Sequence, residues 1–209
     1  MNVEKNNNQV EVWNQFILDG NGIAISRVYF HYYDLLFDYG MRHVSDKQLV
    51  EDVIQDIFIN FIKVRKSIGI VKNLTGYLIS TFRRQLYLEL KKQKRTILTD
   101  HLPEEQFDYF KGYEPDNQEA ESKEKLHTVL AECINKLTGK QREILFLRFE
   151  REIPYEEIAE ALNITVDSCY KSTYRSIKII RSEVEKIRQK KPYFFLLNLF
   201  GSLHRIFKD

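Results

Sequence analysis

Between Tyr155 and Arg175 the chain reads Tyr-Glu-Glu-Ile-Ala-Glu-Ala-Leu-Asn-Ile-Thr-Val-Asp-Ser-Cys-Tyr-Lys-Ser-Thr-Tyr-Arg, and no other segment constrains the fold as tightly. Ile158, Ala159 and Leu162 share one apolar face of a short helix. Glu156 and Glu157 lie in its first turn, where carboxylates suit the positive end of the helix dipole. Pro154 stands at its start, where a missing N–H costs little. Asn163 falls where the chain must turn, and asparagine accepts positive φ more readily than most residues. Thr165 then suits the N-cap of a second helix. Val166, Cys169, Thr173, Ile177, Ile180, Val184 and Ile187 recur every three or four residues along it and form one stripe. Two helices crossing over the small Ala159 make a helix-turn-helix. Asp167, Ser168, Lys171, Ser172 and Arg175 face outward near the second helix's start, where a recognition helix presents side chains to the major groove. A helical hairpin with a solvated charged face gives the same local pattern.

A helical pair precedes this one. Leu126, Val129, Leu130, Cys133, Ile134 and Leu137 form a stripe, and Thr138-Gly-Lys-Gln141 reads as a capping box opening a helix with Ile144, Leu145, Leu147 and Phe149. The expectation is a four-helix module ending in the recognition helix.

The N-terminal half predicts a second helical module. Ser45-Asp-Lys-Gln48 reads as a capping box, followed by Leu49, Val50, Val53, Ile54, Ile57, Phe58, Phe61 and Ile62 at helical spacing. The opposite face carries Glu51, Asp52, Gln55, Asp56 and Asn60. It fits either a protein partner or a solvated acidic surface. An earlier helix is expected over Ser26 to Val44 with a run of aromatics, and a later one from near Leu74 that buries Leu78, Phe82, Leu86 and Leu90. From Lys63 to Arg95 there are ten Lys or Arg residues against the single acid Glu89. That density exceeds what dipole complementarity needs and favours phosphate contact.

The net charge of the 209 residues is only +2, so positive charge is segregated. Thr99 to Glu124 holds nine Asp or Glu against two Lys, with Pro103, Gly112 and Pro115 breaking any period. It reads as a flexible acidic linker. Its acidity, by mimicking phosphate near the basic faces, is expected to discourage DNA binding by the free protein. Cys133 and Cys169 fall on apolar stripes and read as core residues. No zinc spacing, P-loop, Rossmann glycine pattern, Ser/His/Asp motif or signal peptide is recognisable. The longest apolar run, Tyr193–Leu197, is too short to span a bilayer. The expectation is a cytoplasmic, non-enzymatic protein with no cofactor, no metal and no small-molecule substrate.

Two segments in order now resemble the sigma-70 family of RNA polymerase factors, in its extracytoplasmic-function (ECF) group. Asp46-Lys-Gln-Leu-Val-Glu-Asp-Val-Ile-Gln-Asp-Ile-Phe58 resembles the core-binding helix, and Gly76 to Arg95 the helix that melts the promoter and reads its −10 element. Leu137 to Arg148 and Tyr155 to Arg175 resemble the domain that reads the −35 element. The resemblance implies an all-α fold of two small helical domains, sigma regions 2 and 4, joined by the flexible acidic linker. The implied organisation is an N-terminal extension over 1–25, region 2 over 26–96, the linker over 97–122, region 4 over 123–190 and an apolar tail over 191–209.

The roles the resemblance implies are these. Asp52, Gln55, Asp56 and Phe58 dock on the β′ clamp of core polymerase, whose β flap is a further contact. The loop Ser67–Asn73 captures a flipped base of the −10 strand, while Arg65, Lys66, Lys72, Asn73, Arg83, Arg84, Lys91 and Lys92 bind the DNA around it. Ser168, Lys171, Ser172 and Arg175 contact the −35 DNA. The linker threads toward the RNA exit path as a displaceable nucleic-acid mimic. An anti-sigma protein is an implied partner, and any membrane association is indirect, through it. Gly139 stands in place of the family's usual proline, and Asn163 in place of a common glycine. Tyr170 and Ser172 stand where Lys and Arg are frequent, which implies fewer phosphate contacts. The tail beyond Pro192 is expected to fold back on region 4 as a core extension, or else to dock a regulator or membrane surface. A helix-turn-helix regulator that binds duplex DNA without joining polymerase is the alternative reading of the whole chain.

Overall fold

Side-chain caps set most helix starts in the computed structural model, which describes residues 2–94, 107–111 and 121–190, with side chains over 8–92, 107–111 and 128–187. The first module comprises α1 (Asn2–Asp19), α2 (Gly22–His43), α3 (Lys47–Val64), a 3-10 turn at Arg65–Ser67 and α4 (Leu74–Lys94). Asn21 opens α2 by accepting from the amides of Ile23 and Ala24. Asp46 opens α3 by accepting from the Leu49 amide at 3.0 Å. The cap is therefore Asp46, one residue later than a Ser45–Gln48 box requires, and the Gln48 amide reaches forward to Asp52 instead. Val28, Leu36 and Tyr39 of α2, Val50 and Ile54 of α3, and Leu78, Phe82 and Leu86 of α4 are fully buried among one another. Gly40 lets the three helices meet: a Cβ there would lie 2.7 Å from Val50 and 2.8 Å from Phe82.

The N-terminal stretch is folded into this module. Val12, Trp13, Phe16 and Ile17 of α1 are buried against it. The Trp13 ring meets Phe61 edge-on at 5.0 Å and lies 6.0 Å from Tyr77. Gly20, at φ 75°, ends the helix by returning its amide to the Phe16 carbonyl at 2.8 Å, a left-handed cap natural to glycine.

The second module comprises α5 (Glu121–Ile134), α6 (Gly139–Leu145), a π-helical turn at Phe146–Glu150, α7 (Tyr155–Ala161) and α8 (Val166–Lys190). Both arms of the Thr138–Gln141 capping box are made, which offsets the poor helix propensity of Gly139. Asn163 takes φ 52° in the turn, and Thr165 caps α8 through the Ser168 amide at 3.1 Å. Along α8, Cys169, Thr173 and Ile180 are buried as their spacing predicts, but Ser176 is buried where Ile177 is only half-covered. The Ser176 hydroxyl is satisfied by the Ser172 carbonyl at 2.8 Å, which makes the burial tolerable. Cys133 and Cys169 are free and buried, and burial pushes both thiols up to about 11.

Every regular element among the described residues is helical. The modules touch. α7 lies along α4, and one apolar core runs from Trp13 through Phe82 and Phe146 to Ile180. Within the acidic segment, residues 107–111 are described, and Phe107 and Tyr109 are buried at the junction. That stretch of a linker otherwise expected to be flexible is docked, because its aromatics find an apolar slot between the modules. The rest of the linker and the apolar tail 191–209 lie outside the described residues. No helix among the described residues is long and apolar enough to cross a membrane.

Candidate nucleic-acid interface

The helix-turn-helix presents a mixed surface. Lys171 and Arg175 project one turn apart from the exposed side of α8, with Ser168 also exposed and Ser172 half-buried. Lys171 pairs with Asp167 at 2.7 Å across one turn; both are solvated, so the pair is weak and readily exchanged for a phosphate. The Ser168 hydroxyl lies 2.7 Å from that of Thr165, which ties it to the cap. Tyr170 and Tyr174 are also exposed on this helix, and the Tyr170 ring packs at a tilt against Tyr155 with ring centres 4.1 Å apart. These two tyrosines form an apolar border to the cationic pair that the charged and hydroxyl positions alone do not reveal.

In the first module the residues expected to bind DNA separate into two sets. Lys66, Lys72, Arg84, Lys91 and Lys92 are exposed. Lys92 pairs with Glu89 at 2.7 Å, and the Lys91 ammonium lies 5.7 Å from the Tyr87 ring centre. Arg65, Asn73 and Arg83 are committed within the protein. The Arg65 guanidinium donates to the carbonyls of Ile17 at 2.8 Å and Leu18 at 3.0 Å, capping the end of α1. Asn73 is the N-terminal cap of α4, accepting from the Gly76 amide at 3.1 Å. Arg83 is ion-paired with Glu143 of the second module at 3.3 Å, with little of its side chain exposed.

Residues Ser67 to Asn73 form an exposed loop whose geometry α1 determines. The Asn14 amide donates to the Val71 carbonyl at 3.3 Å, and its oxygen accepts from the Val71 amide at 3.2 Å. Gly69, Ile70 and Lys72 beside that clamp are exposed, and Ile70 is an exposed large apolar residue at the loop's tip. A fixed backbone with an apolar tip and lysines on either side is suited to a base and its flanking phosphates. Asn14 lies in a stretch without legible sequence features; its only signal is a polar residue next to the tryptophan of an apolar α1 face.

On α3, Asp52, Gln55 and Asp56 are exposed and form a continuous acidic edge. Phe58 is buried instead, meeting Tyr29 at 5.1 Å and Phe61 at 5.7 Å, both edge-on. Its expected place on a docking surface is corrected on this ground: it holds the helix from inside. Ile59 and Ile62, one and four positions on, are exposed apolar residues of α3, as is Val64 at its end.

Among the described residues, the buried ionisable groups His43 and Glu143 gather at the junction of the modules. Glu143 of α6 is almost fully buried; it accepts a hydrogen bond from the Tyr39 hydroxyl and lies 3.3 Å from Arg83 and 3.6 Å from His43. Burial alone raises a carboxyl, but His43, Arg83 and Tyr39 together outweigh it and hold Glu143 below its usual range. Burial first, then the Glu143 charge, pushes the Tyr39 phenol well above its ordinary value. Around this centre Arg151 pairs with Asp38, Arg42 donates to the Tyr109 carbonyl, and the Tyr109 hydroxyl donates to Glu150 at 2.8 Å. The sequence signal was the aromatic group Phe107, Tyr109 and Phe110 inside an acidic, Pro-broken stretch.

The fold and these surfaces define a helical nucleic-acid-binding protein with two reading modules, one built for duplex DNA and one carrying a basic loop. The model of sigma-70 region 2 matches residues 28–96 and that of sigma-70 region 4 matches residues 127–180, so the chain belongs to the sigma-70 family. Among solved structures it is similar to the sigma factor RpoE from Bartonella quintana, crystallised with the anti-sigma factor NepR. The match has 14% identity and a TM-score of 0.51, and covers 77% of this chain and 96% of that one. At that identity the likeness is one of fold. No curated protein matches this chain.

Proposed function

We propose that this protein is a sigma factor of the ECF group: a dissociable subunit that joins core RNA polymerase and directs initiation at promoters with its own −35 and −10 elements. One observation carries the reading. Region 2 and region 4 follow one another in a single chain. A simple helix-turn-helix regulator has no use for a region 2 module, so that alternative is not favoured. The protein supplies recognition and strand opening, and the polymerase forms the phosphodiester bonds.

In this reading the exposed Asp52, Gln55 and Asp56 edge of α3, with Ile59 and Ile62 beside it, docks on the polymerase clamp. The Ser67–Asn73 loop accepts an extruded base of the −10 strand, and Lys66, Lys72 and Arg84 neutralise phosphates around it. Extruding a base costs a few kcal/mol, and a loop already fixed by Asn14 adds no further ordering cost. Lys171 and Arg175 contact the −35 duplex, with Ser168 and Ser172 as short hydrogen-bonding side chains and Tyr174 placed for apolar contact with a thymine methyl. An anti-sigma protein is a natural partner, as NepR is for RpoE in the structure this chain resembles.

Lys171→Ala and Arg175→Ala test the assignment in polymerase holoenzyme. Where the side chain reads a base, its truncation should cost about 1–3 kcal/mol of binding at a −35-dependent promoter; where it neutralises a phosphate, truncation should reduce the salt slope by about one. Core binding should be unchanged. Wild-type initiation by both variants would remove α8 from promoter recognition.

A further inference from the structure

We infer that a groove between α5 and α8 is the seat of the chain's own apolar tail, which sets Phe194 or Phe195 into it and completes the core of region 4. The inference is independent of the promoter-binding assignment. The tail lies outside the described residues; the groove, and what the sequence places beside it, carry the inference. The buried stripe of α8 fades toward the helix end. Cys169, Thr173, Ser176 and Ile180 are 5% exposed or less, but Val184 and Ile187, next on the same stripe, are only half-buried. There α8 and the end of α5 leave a groove of about 160 Å³, lined by Glu132, Cys133, Lys136, Glu183, Lys186 and Ile187. Glu132, Lys136 and Lys186 stand exposed on its rim, and Lys186 pairs with Glu183 at 2.6 Å along α8. The fully buried Cys133 and the half-buried Ile187 supply the apolar interior. An apolar cavity of roughly 150 Å³ accepts a benzene molecule, so the groove has room for one phenyl ring.

The position of the tail and the size of the groove together select the occupant. Ten of the fifteen residues from Tyr193 to Phe207 are apolar, so the tail left in water would be one continuous apolar patch. Pro192 stands five residues past Ile187 and biases Lys191 away from helix, which directs the chain off the α8 axis at that point. From Ile187 to Lys190 the helix rises about 4.5 Å. The five residues from Lys191 to Phe195 can span up to roughly 17 Å, so both phenylalanines can return to the groove with length to spare. A separate protein is a poor fit, because the groove takes one ring whereas stable protein–protein interfaces bury about 1,200–2,000 Å². A tethered segment needs no such area: a short linker holds it at an effective concentration on the order of millimolar. The seated ring packs on Ile187, covers Cys133 and pins the C-terminal half of the recognition helix to α5.

The test compares the full chain with a chain ending at Lys191 and with a Phe194→Leu, Phe195→Leu double variant that keeps the tail apolar but removes its rings. The methyl resonances of Ile187, assigned with Ile187→Val, report the occupant. In the full chain they should be displaced by the ring current of the seated phenylalanine, and in both other chains they should return to unshifted positions. The full chain should also unfold at a higher urea concentration than the shortened one, and Ile187→Ala should lower that midpoint further in the full chain than in the shortened one. Identical Ile187 resonances in the full and shortened chains would overturn the inference. A second arm identifies whose tail is bound. Lys136→Cys on the rim and Leu196→Cys beside the two rings are treated with a short bifunctional thiol cross-linker, with Cys133 and Cys169 buried. A cross-linked monomer is expected. A cross-linked dimer alone would give the groove to a second copy, and the absence of any cross-link would leave it without the tail; either result overturns the inference. A third arm adds phosphatidylserine–phosphatidylcholine vesicles. Sedimentation of the full chain but not the shortened one, with the Ile187 methyls at their shortened-chain positions before vesicles are added, would assign the tail to a lipid surface instead.

Discussion

Trp13 gives the sharpest stability prediction, because it decides whether α1 is part of region 2 or an appendage. Its side chain is fully buried against Phe16, Phe61 and Tyr77. A buried aromatic removes some 150–250 Å² from water, about 4–6 kcal/mol at 25 cal/mol per Å². That figure is an upper bound, since the denatured chain hides some of this surface. Measured aromatic-to-alanine changes in cores centre on about 3–5 kcal/mol. Trp13→Ala should therefore lose about 3–5 kcal/mol in urea unfolding followed by circular dichroism, with an unchanged m-value. For a chain of this length the melting midpoint should fall by about 6–20 °C. A loss below about 1 kcal/mol, or unfolding of α1 alone while the rest of region 2 keeps its wild-type midpoint, would refute the argument that α1 is integral.

Other expectations follow from single contacts. Gly40→Ala forces a methyl to within 3 Å of Val50 and Phe82 and should cost about 1–3 kcal/mol by the same assay. Asn14→Leu removes both hydrogen bonds to Val71; it should impair open-complex formation and blur discrimination among −10 bases, with −35 dependence and core binding preserved. Asn163→Val places a β-branched side chain at φ 52° and should cost about 1–3 kcal/mol, whereas Asn163→Gly should be nearly neutral. Glu143 is held below its ordinary value of 4.5, so its stabilising contribution is complete above that value and is lost as pH falls through the lowered one. Its partners Tyr39 and His43 on α2 and Arg83 on α4 define that environment. The hydrodynamic radius should rise with acid below pH 4.5 more steeply in wild type than in Glu143→Gln.

The parts legible in the sequence share a cause: they are local. The Thr138–Gln141 box, the Asn163 turn and the Thr165 cap each depend on residues within four positions, and each is made as the spacing predicts. The apolar stripes of α3 and α4 are likewise short-range patterns that a single helix face must satisfy. What was hidden is long-range. Trp13 and Asn14 take their positions by meeting Phe61 and Val71, about 50 residues on, and nothing within α1 announces those partners. Glu143 reads as an ordinary helical carboxylate until Tyr39, His43 and Arg83 close around it from two other helices. Arg65 and Phe58 show the converse. Type and spacing fit a functional surface, but Arg65 caps α1 and Phe58 turns inward, and spacing alone does not distinguish the two faces of so apolar a helix.

Addition of this protein to sigma-free core RNA polymerase, with transcript starts mapped on fragmented genomic DNA of its source, tests the central claim most directly. A sigma factor should give discrete starts that share a −35 and a −10 element and disappear when the protein is omitted. Absence of initiation, together with failure to co-elute with core polymerase, would contradict the account.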